Sequence, residues 1–161
     1  MLRRIRQQNL SSDGFTLTEV LIALVIVALI SAIAMPMYTR YSLRGYRTEA
    51  QADLLMCAQG LERMGAINFT YAGAIDSDGD GQGDTDTGVV SANLCIPTTR
   101  NYSLSVQSAD DLSFVVRATP DASSPAMNDG RMEIDSDGSR RWDHNNDNDF
   151  GDSGEDQWQE Q

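Results

Sequence analysis

Five aspartates crowd one short stretch of this chain. Asp76, Asp78, Asp80, Asp84 and Asp86 lie in Asp76-Ser77-Asp78-Gly79-Asp80-Gly81-Gln82-Gly83-Asp84-Thr85-Asp86. Carboxylates at the first, third, fifth and ninth positions, with glycine at the sixth, match the first part of an EF-hand-type calcium loop. Alternate oxygens converge on one hard cation when the chain turns sharply at Gly81, and Gln82 completes the candidate set. The pattern departs at the twelfth position, where Thr87 replaces the bidentate acid; Asp86, one residue earlier, is the substitute. The expectation is Ca2+ at the roughly 0.1–1 mM affinity typical of extracellular modules, set against a merely solvated acidic loop. A second acidic stretch runs from Asp143 to Asp156. Asp143, Asn145, Asp147 and Asp149 alternate there, but Asn148 stands where a glycine would be. That stretch reads as a disordered tail or a weak metal site.

Two other residue types bear on chemistry. Cys57 and Cys95 are the only cysteines, and a pair in an exported chain reads as one disulfide. Closing a loop of about 38 residues would contribute roughly 4 kcal/mol on the chain-entropy model. Their spacing matches no zinc pattern, and the single histidine, His144, has no visible nucleophile arrangement around it. No enzymatic centre is expected.

The elements that position these residues begin with an apolar block. Residues 1–14 are polar and basic, carrying Arg3, Arg4 and Arg6. From Val20 to Met37 no residue is charged. A helix of about 20 apolar residues spans a hydrocarbon core of roughly 30 Å. The three arginines should stay cytoplasmic, which places the remainder outside the cytoplasm. A secretory signal peptide is the simpler alternative, with Ser31, Ala32 and Ala34 as small residues near its end. The length of the segment and the carboxylate of Glu19 near its start resist that reading, because a charge in a membrane helix is costly and usually has a partner.

Gly14-Phe15-Thr16-Leu17-Thr18-Glu19, followed by an apolar run containing Pro36, resembles the prepilin leader of type IV pilins. The resemblance implies that a prepilin peptidase cuts between Gly14 and Phe15 and methylates the new amino group of Phe15. Glu19, the fifth residue of the mature chain, is similar to that family's invariant glutamate. An amine at Phe15 and the Glu19 carboxylate are complementary charges, and in a filament core each needs an opposite partner. Pro36 removes one helical hydrogen bond, so the helix is expected to kink or loosen near residues 32–36.

The helix should continue into a head. Leu43, Arg47, Ala50, Leu54, Cys57, Leu61 and Met64 recur at spacings of three and four, one stripe of an amphipathic helix. Arg44, Glu49, Gln51, Asp53 and Glu62 occupy other faces, and Gly65 is the expected C-terminal cap. Beyond residue 99 the period becomes two. Tyr102, Leu104 and Val106 form one run, Leu112, Phe114, Val116 and Ala118 a second, and Met132 and Ile134 a third. Asp135-Ser136-Asp137-Gly138 then turns the chain into Ser139–Trp142. The expected fold class is α+β, with a long helix on a three- or four-stranded antiparallel sheet. This layout resembles the type IV pilin fold, and MEIDSDGSRRWD resembles the last hairpin of minor pilins of the PilE kind. The segments are then a leader (1–14), a membrane or filament-core helix (15–39), an amphipathic helix half (40–66), a connecting loop (67–99), a sheet (100–142) and an acidic tail (143–161).

Charge narrows the partners. The chain has 12 basic and 24 acidic residues, and losing the leader leaves 9 and 23, a net charge of −14. That balance argues against gripping phosphate backbones, so no nucleic acid is expected, and a DNA-uptake pilin would need a basic stripe for which there is little room. The resemblance implies a minor pilin of a type IV pilus. Its partners would be other pilins, the peptidase, the inner-membrane assembly platform and the membrane itself. It would sit in a bacterial inner membrane and then in the extracellular pilus. A type II secretion pseudopilin, a major pilin and a membrane-anchored calcium-binding module are the alternatives. Replacing Glu19 by Ala separates the last of these, because an anchor survives that change.

Overall fold

A computed structural model describes residues 14–80 and 83–158, so residues 1–13 of the leader and Gly81 and Gln82 of the first acidic loop fall outside it. The chain divides into two compact units, Met1–Thr39 and Arg40–Gln161, and one helix, α1 (Leu17–Asn68), contributes to both.

In the first unit, α1 starts with a capping box. Glu19 N donates to Thr16 Oγ1 at 3.3 Å, while Thr16 N and Thr16 Oγ1 donate to Glu19 Oε2 at 2.9 and 2.7 Å. Three otherwise unmet polar groups at the helix start are satisfied this way. Pro36 lies inside α1, which continues through it, although Pro36 offers no N–H to the preceding turn. Thr39 Oγ1 donates to Met35 O at 2.8 Å just beyond it.

In the second unit, five strands form one antiparallel sheet: β1 (Gly88–Val89), β2 (Tyr102–Ala109), β3 (Phe114–Pro120), β4 (Met132–Asp135) and β5 (Arg140–Trp142), in that spatial order. The expected count was three or four. β1 is a two-residue edge strand, Gly88 and Val89 opposite Val106 and Ser105, too short to show alternation. The amphipathic stripe holds: Arg47, Ala50, Leu54, Cys57 and Leu61 are buried, with Leu43 and Met64 packed at the margin. They share one core with Leu104, Val106, Phe114, Val116 and Ile134 of the sheet. The Asp-Gly turn forms as expected. Gly138 N donates to Asp135 O, and Gly138 sits at a φ of 80°, which glycine takes without strain.

Four local expectations are corrected. Gly65 does not cap α1, which runs on to Asn68, and the left-handed residue is Phe69 at a φ of 60°. Gly65 is small because the Tyr71 ring lies over it, and a Cβ there would stand 2.5 Å from a ring carbon. Leu112 does not join β3. It is 87% exposed at the tip of the β2–β3 turn, where Asp110 accepts Leu112 N, Ser113 N and Ser113 Oγ. Those bonds hold the Asp110 carboxyl below the usual range. Asp53 is buried rather than on an outer face, and it accepts Thr98 N, Thr98 Oγ1 and Thr99 N. Residues 143–158 do not hang free. They fold back so that Trp142 N donates to Glu155 O and Trp158 Nε1 reaches Glu133 O and Arg141 O, each at 3.1 Å.

Two cross-links tie the head together. Cys57 and Cys95 form a disulfide with Cα atoms 5.0 Å apart. Next to it, Gly60 lets the Leu94 carbonyl approach α1, and a Cβ at Gly60 would overlap that oxygen. The second link is ionic. Arg47 Nε and Nη2 donate to Asp129 Oδ2 and Oδ1 at 3.0 and 2.6 Å, and its guanidinium carbon stacks 3.6 Å from the centre of a Trp142 ring. Tyr102 Oη donates to Asp129 Oδ2 at 2.6 Å, and Trp142 Nε1 donates to Asp129 O at 2.7 Å. Burial, with the Asp129 carboxylate alongside, pushes the Tyr102 hydroxyl far up, so it stays a donor. One buried aspartate thus joins α1, β2 and β5. Arg47→Ala would strand the Asp129 charge and is expected to lower stability by about 3–5 kcal/mol, read by thermal or chemical unfolding of the detergent-solubilised chain. Gly60→Ala is expected to destabilise by about 1–3 kcal/mol through overpacking. Replacing both cysteines by serine is expected to cost up to about 4 kcal/mol; an unchanged unfolding curve would show that the bridge closes no loop that matters.

Candidate assembly segment and acidic loops

The first candidate site is the start of α1. Gly14 and Phe15 are exposed, so the expected cleavage bond lies open. Phe15 is 87% exposed. The large apolar residues from Leu17 to Tyr38 are all at least half exposed. α1 is long and apolar enough to cross a membrane by length and composition. Glu19 is exposed too, and its carboxylate is occupied by its own Thr16. The sequence places a carboxylate here; the geometry adds that this carboxylate is also the helix cap.

The second candidate is the loop after α1. A carboxylate oxygen from each of Asp76, Asp78 and Asp84 lies within 4.8 Å of the others. Asp80 and Asp86 are not part of that group. Asp86 Oδ1 accepts Gly73 N at 2.8 Å instead of standing in for a terminal ligand. Gln82 lies outside the described residues. Asp84 Oδ2 is already engaged by Ser77 Oγ, Ser77 N and Asp78 N at 2.5, 2.8 and 3.3 Å. The Ser77 bonds hold the Asp84 carboxyl below the usual range. The aspartates of this loop accept hydrogen bonds from its own backbone, which is a turn-forming use of Asp.

Sequence reasoning ranked the other acidic stretch second and did not include Glu155. The structure brings Asp143, Asp147 and Glu155 together, each offering a carboxylate oxygen within 4.8 Å of the others. Asp143 and Glu155 have no solvent exposure. The alternation of Asp and Asn from 143 to 149 was the available signal; the return of Glu155 depends on a loop that sequence spacing does not define.

Four of the nine described arginines pair with carboxylates. Glu133 lies between Arg117 and Arg141, at 2.5 and 3.1 Å, matching the register in which it faces both. Arg47 pairs with Asp129 and Arg131 with Asp143.

Comparison with known proteins now identifies the family. Residues 10–35 match the prokaryotic N-terminal methylation motif. Residues 36–130 match the family described as type IV minor pilin ComP, DNA uptake sequence receptor. That description conflicts with the expectation that no nucleic acid takes part. Neither the curated proteins nor the solved structures contain a match to the chain. The family match covers more than half of the 161 residues, the helix-on-sheet fold agrees with it, and the chain therefore belongs to the ComP family of type IV minor pilins, non-enzymatic structural subunits carrying a prepilin cleavage and methylation motif.

Proposed function

We propose that the chain is cut between Gly14 and Phe15, held by its first helix half in the bacterial inner membrane, and drawn by the assembly platform into an extracellular type IV pilus as a minor subunit. The observation that carries this reading is an apolar half-helix exposed along its length and ending in a carboxylate. Such a surface is stable in lipid or against other helices of its kind, and not in water. In the uncut chain Glu19 is satisfied by Thr16. Cleavage creates a cationic amine at Phe15, and in a filament the Glu19 carboxylate gains the amine of a neighbouring subunit as a stronger, charge-assisted partner. The pair fixes the axial position of the incoming subunit, because a misplaced charge would stay buried and unpaired.

Glu19→Gln separates capping from charge. Glutamine still completes the capping box with Thr16 but offers no charge to an amine. Both Glu19→Gln and Glu19→Ala are expected to leave the chain cleaved and in the membrane, and to reduce its amount in sheared filaments at least about tenfold. Incorporation of Glu19→Gln at the parental level would mean that the cap, not the charge, is what assembly uses.

The family description brings a second reading, in which the assembled head contacts DNA. Among the described residues Arg40, Arg63, Arg100 and Arg140 stand in no ion pair with a carboxylate. Four such charges would release few counterions. Affinity for duplex DNA is expected to fall with salt at a logarithmic slope no steeper than about −3.6, so recognition would rest on base contacts and shape. Fluorescence anisotropy of labelled duplexes with the full chain in detergent measures the slope. A much steeper slope, or no binding at low salt, would contradict this form of the reading.

A further inference from the structure

The loop from Asp143 to Glu155 carries an unmet demand for positive charge. It lies beyond the residues matched to the family. Glu155 has no solvent exposure, and its two oxygens differ. Oε2 accepts Asp152 N at 3.0 Å, whereas Oε1 is buried and accepts no hydrogen bond. The half-exposed His144 places its Nδ1 3.3 Å from Oε1 without hydrogen-bond geometry. A carboxylate oxygen withdrawn from water with no donor is strongly disfavoured unless something positive meets it.

The same pocket concentrates further negative charge. Asp143 is also fully buried; its Oδ1 accepts Asp147 N, and its Oδ2 accepts Asn148 N and lies 3.6 Å from Arg131 Nε. Arg131 Nε makes no hydrogen bond of its own, because Arg131 Nη2 donates instead to Asn148 O. Asp147 is exposed at the mouth of the group, its Oδ2 accepting Asn145 Nδ2 and its Oδ1 accepting Asp149 N. Asn146 and Asn148 both take left-handed backbone, at φ of 59° and 71°, which bends the loop back on itself.

We propose that this loop binds a calcium ion, with Asp143, Asp147 and Glu155 as its protein ligands and Asp147 as the side open to solvent. The three ligands offer oxygen alone, which suits a hard cation. An irregular loop with two buried acids and an exposed third suits the flexible coordination of Ca2+ better than the strict octahedron and retained waters of Mg2+. The ion meets Glu155 Oε1 and neutralises the crowding that Arg131 relieves only on the Asp143 side. It also fastens the C-terminal segment to the sheet, since Glu155 O receives Trp142 N and Trp158 docks three residues later. Among the described residues the first acidic loop has no buried carboxylate oxygen left without a hydrogen bond, and Asp84 is held by Ser77.

The test uses the full chain in detergent, stripped with chelator and titrated with calcium by calorimetry. Hydrogen exchange is followed on the same samples. One ion is expected to bind at the C-terminal loop with a Kd of about 0.1–1 mM, to raise the melting temperature, and to slow exchange across residues 143–158. Asp147→Asn, at an exposed position that should not disturb folding, is expected to weaken that binding at least about tenfold. Absence of binding to the parental chain at 10 mM (roughly tenfold above the weakest affinity expected) would overturn the proposal. So would protection confined to residues 76–86, unchanged affinity in Asp147→Asn, or equal affinity for magnesium.

Discussion

Water is a poor solvent for a helix that is apolar on every side, and the first half of α1 is such a helix. From Val20 to Met37 no side chain is charged, and the large ones stand exposed. Everything else in the account follows from where that surface can go. It can lie in a bilayer, whose hydrocarbon thickness its length matches, or against other helices of its kind in a filament. Glu19 is the one group that makes those two environments unequal. Capped by Thr16 near the membrane surface, it is tolerable; inside a protein filament it needs a cation. In the proposed filament, the amine that cleavage would create at Phe15 of a neighbouring subunit would be that cation.

The head solves a different problem. A small domain has limited core, and the second unit adds covalent and ionic ties to it. The disulfide fixes the connection after α1 to the helix, where Gly60 permits backbone to touch backbone. Asp129 gathers Arg47, Tyr102 and Trp142 from three elements onto one carboxylate and one carbonyl. A buried pair of this kind is weak evidence for net stability, since well-packed apolar residues often do as well. It ties helix, sheet and the β3–β4 connection to one point in the core.

Long contiguous signals were legible in the sequence. The apolar segment, the helical stripe through Arg47 and Cys57, the disulfide partners and the Asp-Gly hairpin all depend on residues close in sequence or on a strict period. What was not legible depends on residues far apart. Asp53 looks like a surface acid until Thr98 and Thr99 return to it. Glu133 breaks the alternation of β4, buried between Arg117 and Arg141 of the neighbouring strands. Gly65 has the composition of a cap and the job of making room for Tyr71. From its charge the tail reads as disordered or as a weak metal site. Composition cannot register that Trp158 and Glu155 pin it back onto β4 and β5.

The partner question turns on the same distinction. Net charge is a bulk property, and it argues against a nucleic-acid partner. The family match overrides bulk charge as evidence of kinship, while the pairing of four of the nine described arginines with carboxylates limits how much of any DNA affinity can be electrostatic.

The most direct test of the central claim is mass spectrometry of filaments sheared from the native cell, reading the N-terminus and abundance of this chain. The account predicts a low-stoichiometry subunit beginning at N-methylated Phe15. A chain that keeps Met1, or one found only in membranes and never in filaments, would contradict it.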